Sequence, residues 1–350
     1  MKAAVLHGTQ EVVYEDIERT EPAAGEVVVK VHYTGVCGSD VPRVLQGRVH
    51  FFPLVLGHEF SGRIVAVGDG VSPDLVGRRV AGVPLQPCME CEDCLEGDYS
   101  LCGHYGFVGS RSQGSMAEYV TLPEKNVVFL GDDVPDLDGA FFEPASVAIH
   151  GIELAHFEEG ATAAVVGCGT IGILCAQALS GYGASNVVAT VRSAPKAAAA
   201  RAAGVTKLAD TLEEDWLDQV LALNDGRRFD YVFDTAGTPE TILDSFELAA
   251  NKARVMFIGT PSRDVAFTAK QWETINRKEL TVGGSWMSYS KPWPGVEWDI
   301  VNRFFNQGIM RVVPEMLDTV YNLSDTSDAF ERYAKRDVEG KILIDSWEEH

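Results

Sequence analysis

The 350-residue sequence predicts an α/β protein in two parts: a mostly β body, followed by a doubly wound parallel sheet covered by helices. Three observations point there. The chain is longer than one ordinary domain. Residues 1–150 carry short β-branched runs broken by glycine and proline, among them EVVVKVHYTGV, SGRIVAVGDGV, RRVAGVPL and AEYVTL, the pattern of strands joined by turns. From about residue 160 short apolar runs alternate with helical stretches, the rhythm of a parallel sheet with helices on both faces.

The elements of the second part follow in order. ATAAVVG is a strand and IGILCAQALSGYG a helix; NVVATV is a strand and PKAAAARAAG a helix. FDYVFDTA, ARVMFIG and LTVGGS read as later strands, with helices near 212–224 and 239–250. Beyond about residue 286 the pattern turns irregular, with a helix in WPGVEWDIVNRFFNQG and a strand at KILIDSW that rejoins the first part. The expected divisions are 1–152, 153–287 and 288–350.

Composition narrows the function. A hydrophobic share of 46% and a charged share of 23% suit a globular enzyme. With 29 basic and 51 acidic residues the net charge is −22, which argues against nucleic acid and anionic membranes as partners. No apolar run is long enough to cross a bilayer. MKAAVLHGTQEVVYEDIE turns acidic too early for a signal peptide, so a cytoplasmic setting is expected.

Two local motifs carry chemistry. Cys88, Cys91, Cys94 and Cys102, spaced C-x2-C-x2-C-x7-C, bring four thiolates onto one loop (84–103). Four soft donors at this spacing suit a closed structural zinc site. A pair of disulfides or an iron–sulfur cluster are the alternatives. The second motif is Gly167-Cys168-Gly169-Thr170-Ile171-Gly172, a G-x-G-x-x-G that follows a strand and opens a helix. In that context the first glycine makes the turn and the second admits a pyrophosphate. The third lets helix and strand approach, which predicts a Rossmann dinucleotide site. Thr235 and Gly259, ending later strands, belong to the same cofactor set. Where an NAD site carries an acid, this chain has Arg192, Ser193 and Lys196, and no carboxylate lies between Ala161 and Ala209. An arginine attracts the extra phosphate of NADP, whereas an acid repels it; NADP is favoured over NAD.

The first part holds a second donor set: Cys37 in GVCGSD, His58 and Glu59 in GHEFSG, and Glu143 in FFEPASVAIH. Taken singly, each reads as packing or a helix start. Together, thiolate, imidazole and carboxylate suit a zinc ion with one open position, which polarises an alcohol.

These residues resemble the zinc-dependent medium-chain dehydrogenases/reductases over essentially the whole chain. Gly57, His58, Glu59, Gly62, Gly68 and Val71 match the family's G-H-E-x2-G-x5-G-x2-V signature, and the cysteine loop, GVCGSD and GCGTIG fall in its order. GVCGSDVPR, FPLVLGHEFSG, PLQPCMECEDCLEGDYSLC, FVGSRSQGSMAEY and KELTVGGSWMSYSKPWPGVEW are similar to a polyol-handling branch. The resemblance implies a GroES-like catalytic domain beside the Rossmann domain, two zinc ions per chain, and a homodimer or homotetramer. It implies Cys37 and His58 as catalytic-zinc ligands with Glu59 or Glu143 as the third, Ser39 in the proton relay, and Asp40 orienting an imidazole. It also places Arg43, Arg48, His50, Arg111, Trp286, Tyr289 and Lys291 near the substrate. Of these, Arg43, Tyr289 and Lys291 are the expected contacts to a polyol or polyol phosphate.

The expected reaction is reversible hydride transfer between a secondary alcohol and NAD(P). Rival readings are an unphosphorylated polyol, 2,3-diol or 3-hydroxy amino acid dehydrogenase, a zinc-independent enone or quinone reductase, and a non-enzymatic NADP-binding protein. Metal content separates the reductase, and cofactor reduction across an alcohol panel separates the non-enzyme.

Overall fold

A computed structural model describes residues 1–347; the last three residues of the expected 288–350 segment lie outside them. The chain forms two compact units: Met1–Glu143 with Tyr289–Asn302 and Leu317–His350, and Pro144–Ser288 with Arg303–Met316. The tail is therefore shared, since Arg303–Met316 packs with the second unit.

The first unit is built on a seven-stranded sheet. Its central strand, Glu26–Gly35, pairs antiparallel with Glu59–Val67, Tyr119–Pro123 and Lys341–Asp345. Val27, Val28, Val29 and Val31 of that strand are fully buried, so the β-branched run EVVVKV packs on both faces. A smaller sheet joins Lys2–Gly8 to Glu11–Asp16 and Leu54–Val55. The register of the large sheet matters for function. Gly35 pairs with Glu59 on one side and Leu343 on the other. The end of the central strand, the start of its neighbour and the start of the C-terminal strand therefore meet at one place.

The second unit is a six-stranded, all-parallel sheet. In space its strands run Leu208–Asp210, Asn186–Val191, Thr162–Val166, Phe229–Asp234, Ala249–Phe257 and Thr281–Gly284. In chain order that is third, second, first, fourth, fifth, sixth, and the direction of growth reverses beside Thr162–Val166. Ligands of such sheets bind at that reversal, beyond the carboxyl ends of the strands.

The helix expected from IGILCAQALSGYG spans Thr170–Gly181, and that from PKAAAARAAG spans Ala194–Ala202. The expected 212–224 helix is shorter, Trp216–Ala222, and the next runs Pro239–Leu248 behind a Thr238–Thr241 capping box. Sequence reading missed the strand Leu208–Asp210 and the helices Ala269–Arg277 and Thr326–Lys335. The capping box from Thr268 to Gln271 was the available signal for the first of those helices. No helix among the described residues is long and apolar enough to cross a membrane.

Candidate active site and metal centres

The four-cysteine loop closes on itself. The backbone turns at Met89 (φ 63°), runs through the short helix Glu92–Glu96, and turns again at Gly97 (φ 100°). The Sγ atoms of Cys88, Cys91, Cys94 and Cys102 all lie within 4.8 Å of one another. Measured pairs are Cys88–Cys102 at 3.5 Å, Cys91–Cys102 at 3.8 Å and Cys88–Cys94 at 3.9 Å. A tetrahedral ion with a metal–sulfur distance of about 2.3 Å requires sulfur–sulfur edges of about 3.8 Å. A disulfide would bring two sulfurs to about 2 Å. The loop therefore fits a tetrahedral ion. The Cys91 N–H donates to Cys88 Sγ and the Cys88 N–H to Cys102 Sγ, both at 3.4 Å. Donors of this kind favour the thiolate, and backbone N–H groups hold the Cys88 thiol down at about 6.

The second centre forms where the three strand ends meet. Cys37 lies two residues beyond the strand Glu26–Gly35, and His58 immediately precedes Glu59–Val67. The Gly35–Glu59 pairing brings these segments together, and the ligand atoms of Cys37, His58 and Glu59 lie within 4.8 Å of one another. Gly35 is required here, because a Cβ would come 2.8 Å from the Lys341 side chain. Lys341 opens the C-terminal strand and its ammonium pairs with the Glu59 carboxylate, both groups being buried.

Asp40, fully buried at the start of the short helix Asp40–Gln46, ties the centre together. It accepts the Cys37 N–H at 3.2 Å and the Arg43 guanidinium at 2.8 Å, and its carboxylate lies 3.6 Å from His58 Nδ1. That nitrogen is buried with no hydrogen-bond partner among the described residues. Ser39 is exposed; its hydroxyl donates to Cys37 Sγ at 3.3 Å and accepts from Arg43 at 3.1 Å.

Glu143, second residue of the helix Phe142–Leu154, stands outside the 4.8 Å group but within the field of His58, Glu59 and Cys37. Burial first, with Glu59 and Cys37 adding, pushes its carboxyl up to about 8. Burial and Glu59 push the Cys37 thiol up to about 12. Several acidic groups thus crowd one buried spot, with Lys341 as the neighbouring ammonium. A divalent cation would compensate them, and the thiolate–imidazole–carboxylate set matches zinc.

The cofactor turn sits at the reversal of the second sheet. Gly167 adopts φ 91°, and a Cβ there would lie 2.6 Å from that of Ala236. Gly169 has open space around it, and a Cβ at Gly172 would strike the Gly167 carbonyl. These are the roles of turn, approach and close packing. Thr170 and Ile171 open the helix behind the turn. Thr235 donates to the Gly167 carbonyl at 2.6 Å, locking the turn, and Gly259 packs on the backbone of Gly237. Arg192 is exposed after the second strand, and Ser193 caps the following helix by accepting the Lys196 N–H at 3.4 Å.

The expected substrate contacts are placed differently. Tyr289 is only 1% exposed, stacked on Trp293 and Trp298, so it is a packing residue and presents no open face to a ligand. Its backbone is fixed by the hydroxyl of Ser100, beside the cysteine loop. Lys291 is exposed, its stem lying where a Cβ on Gly97 would be. Arg43 is engaged with Ser39 and Asp40. Sequence reading missed Lys341, because nothing local to it marks a buried ammonium.

Comparison with known proteins agrees with this layout. Residues 23–132 match the alcohol dehydrogenase GroES-like domain and residues 170–303 the zinc-binding dehydrogenase domain. Galactitol 1-phosphate 5-dehydrogenase of Escherichia coli K12 is 39% identical, covering 91% of this chain and 92% of its own. Sorbitol dehydrogenase of Bacillus subtilis is 30% identical (95% and 93% covered) and D-arabitol-phosphate dehydrogenase of Enterococcus avium 29% (97% and 95%). Among solved structures, galactitol-1-phosphate dehydrogenase from Escherichia coli superposes with TM-score 0.91 at 37% identity, covering 98% and 99% of the two chains. A zinc-binding dehydrogenase from Sinorhizobium meliloti 1021 bound to NADP (98% and 98% covered) and an alcohol dehydrogenase from Escherichia coli CFT073 complexed with NADH (99% and 99%) each give 0.86 at 26% identity. With both domain models matched in order, the chain belongs to the zinc-type medium-chain dehydrogenases, NAD(P)-dependent oxidoreductases of alcohols and polyols.

Proposed function

We propose that this enzyme oxidises a secondary alcohol of a polyol phosphate resembling galactitol 1-phosphate, reversibly, with NADP preferred to NAD. In this reading it carries a structural zinc on Cys88, Cys91, Cys94 and Cys102. A catalytic zinc sits on Cys37 and His58 with Glu59 or Glu143. The observation that carries the reading is the convergence of Cys37, His58 and Glu59 ligand atoms within 4.8 Å. Bound zinc supplies Lewis acidity that makes an alcohol a stronger acid, and the nicotinamide supplies the hydride-accepting carbon.

The chain's own groups do the rest. Ser39, exposed and hydrogen-bonded to Arg43 and Cys37, would take the alcohol's proton and pass it outward. Lys341 pairs with Glu59 and holds it in place. Thr235 holds the Gly167 turn, which would take the cofactor's pyrophosphate. Arg192 supports NADP, since a guanidinium attracts a 2′-phosphate and the chain puts no carboxylate between residues 161 and 209. Lys291 is the remaining candidate for a substrate phosphate. The open edge strand Thr281–Gly284, with Val282 40% exposed, supports self-association into a homodimer or homotetramer. A reduced cysteine loop suits a cytoplasmic setting.

The test is a spectrophotometric screen of zinc-loaded protein. NAD and NADP are offered separately with galactitol 1-phosphate, galactitol, sorbitol and 2,3-butanediol. The fastest reduction is expected with NADP and the phosphorylated polyol. Cys37→Ser should abolish turnover while cofactor binding, followed by nucleotide fluorescence, persists. Turnover at the wild-type rate in Cys37→Ser would reject the catalytic zinc.

A further inference from the structure

We propose that Arg43 is a positioning residue of the catalytic centre: its guanidinium clamps the Ser39 hydroxyl and the Asp40 carboxylate, and through Asp40 it sets the His58 imidazole and the Cys37 loop. The inference rests on the catalytic-zinc reading above. It replaces the expectation that Arg43 anchors a substrate phosphate.

The geometry begins with local structure. Asp40–Gln46 is a two-turn helix closed by Gly47 in the left-handed conformation (φ 66°). Residues three and four apart on a helix share a face, so Arg43 lies over both Asp40 and Ser39. One guanidinium nitrogen, Nη1, donates to Asp40 Oδ1 at 2.8 Å and to Ser39 Oγ at 3.1 Å. Arg43 is itself largely covered, with its side chain 18% exposed, and Asp40 is fully buried.

The chain of contacts then runs inward. Asp40 Oδ2 accepts the Cys37 N–H at 3.2 Å, and Asp40 Oδ1 faces His58 Nδ1 at 3.6 Å. The Ser39 hydroxyl donates to Cys37 Sγ at 3.3 Å. Arg43 thus touches neither His58 nor Cys37, but both groups it does touch contact them. It is also the cation that Asp40 meets at hydrogen-bond distance. A fully buried carboxylate stripped of such a partner is left as an uncompensated charge, which is strongly destabilising. Groups that orient a metal's ligands typically change metal affinity or activity by about 10–100-fold when removed.

The two roles for Arg43 make opposite predictions. A positioning residue acts on every substrate and on the metal itself; a phosphate anchor acts only on phosphorylated substrates and through KM. The experiment compares wild type, Arg43→Ala and Arg43→Lys. Zinc release to a chelator is followed with no substrate present. The steady-state constants are then measured with galactitol 1-phosphate and with unphosphorylated galactitol.

Arg43→Ala should lose one of its zinc equivalents about 10–100-fold more readily, while the other is released as in wild type. Its kcat should fall by a similar factor on both substrates, with KM little changed. Arg43→Lys, which can reach one of the two acceptors, should recover part of both losses. Wild-type zinc release in Arg43→Ala, or a KM increase confined to the phosphorylated substrate, would overturn the proposal. Failure of wild type to oxidise either polyol would strike the substrate reading instead, and the metal-release comparison would still decide the role of Arg43.

Discussion

Removing the Lys341 ammonium should destabilise the first unit more than removing any surface lysine. Lys341 is 8% exposed and Glu59 2%, and they pair directly. Burial alone would lower the affinity of Lys341 for its proton, yet Glu59 and Cys37 outweigh it and raise it above the ordinary lysine value. Lys341→Met keeps the stem and deletes the charge, leaving a buried carboxylate and a buried thiol without it. Breaking a buried pair from one side costs about 3–5 kcal/mol. For a unit of this size each kcal/mol moves the melting temperature by about 2–4 °C, so a drop of about 6–20 °C is expected. The assay is a thermal melt of zinc-loaded protein, with Lys252→Met as control. Lys252 pairs with Glu279 in the open, at 80% and 69% exposure, and its loss should leave the melt unchanged. Adding Glu59→Gln to Lys341→Met should recover part of the loss, because the unpaired charge is then gone. A melt of Lys341→Met within a degree or two of wild type would refute the argument that this pair is desolvated.

Two further outcomes follow from the first unit. Cys94→Ser should release one zinc equivalent and lower the melting temperature, since a closed four-thiolate site couples metal binding to folding; metal analysis beside a melt checks it, and an unchanged curve rejects the structural role. The Asp136 carboxyl is held below its usual range by the hydrogen bond from His32 at 2.9 Å and by Arg79 at 3.1 Å. Its folded value is lowered, so its stabilisation is complete above the ordinary carboxylate range and drains away as pH falls through the lowered value. The gap in urea midpoint between wild type and Asp136→Asn should therefore stay constant above about pH 5 and narrow as pH falls below about 4; a gap constant to lower pH would exclude the linkage.

Much of the molecule was legible without coordinates because its signals are local. The β-branched run at Val27–Val31, the parallel-sheet strand Thr162–Val166 and the helix behind Gly169 lie where their composition put them. The strand Leu208–Asp210 was not legible, since three residues carry no period. The helix Ala269–Arg277 buries no residue fully and meets the core through Ile275, so its short apolar face, interleaved with charged residues, was overlooked.

The sequence by itself determined the four-thiolate loop and the glycine turn. In each, the functional geometry lies within a few residues, and spacing along the chain is nearly spacing in space. Only tertiary structure decided the rest of the catalytic centre. The pairing of Gly35 with Glu59 and with Leu343 joins segments from opposite ends of the chain, so the arrival of Lys341 on Glu59 has no local trace. The same holds for Tyr289, an expected substrate contact, whose ring is buried and stacked on Trp293 and Trp298. A side chain's partners depend on which strands and helices close over it, and burial makes those partners obligatory.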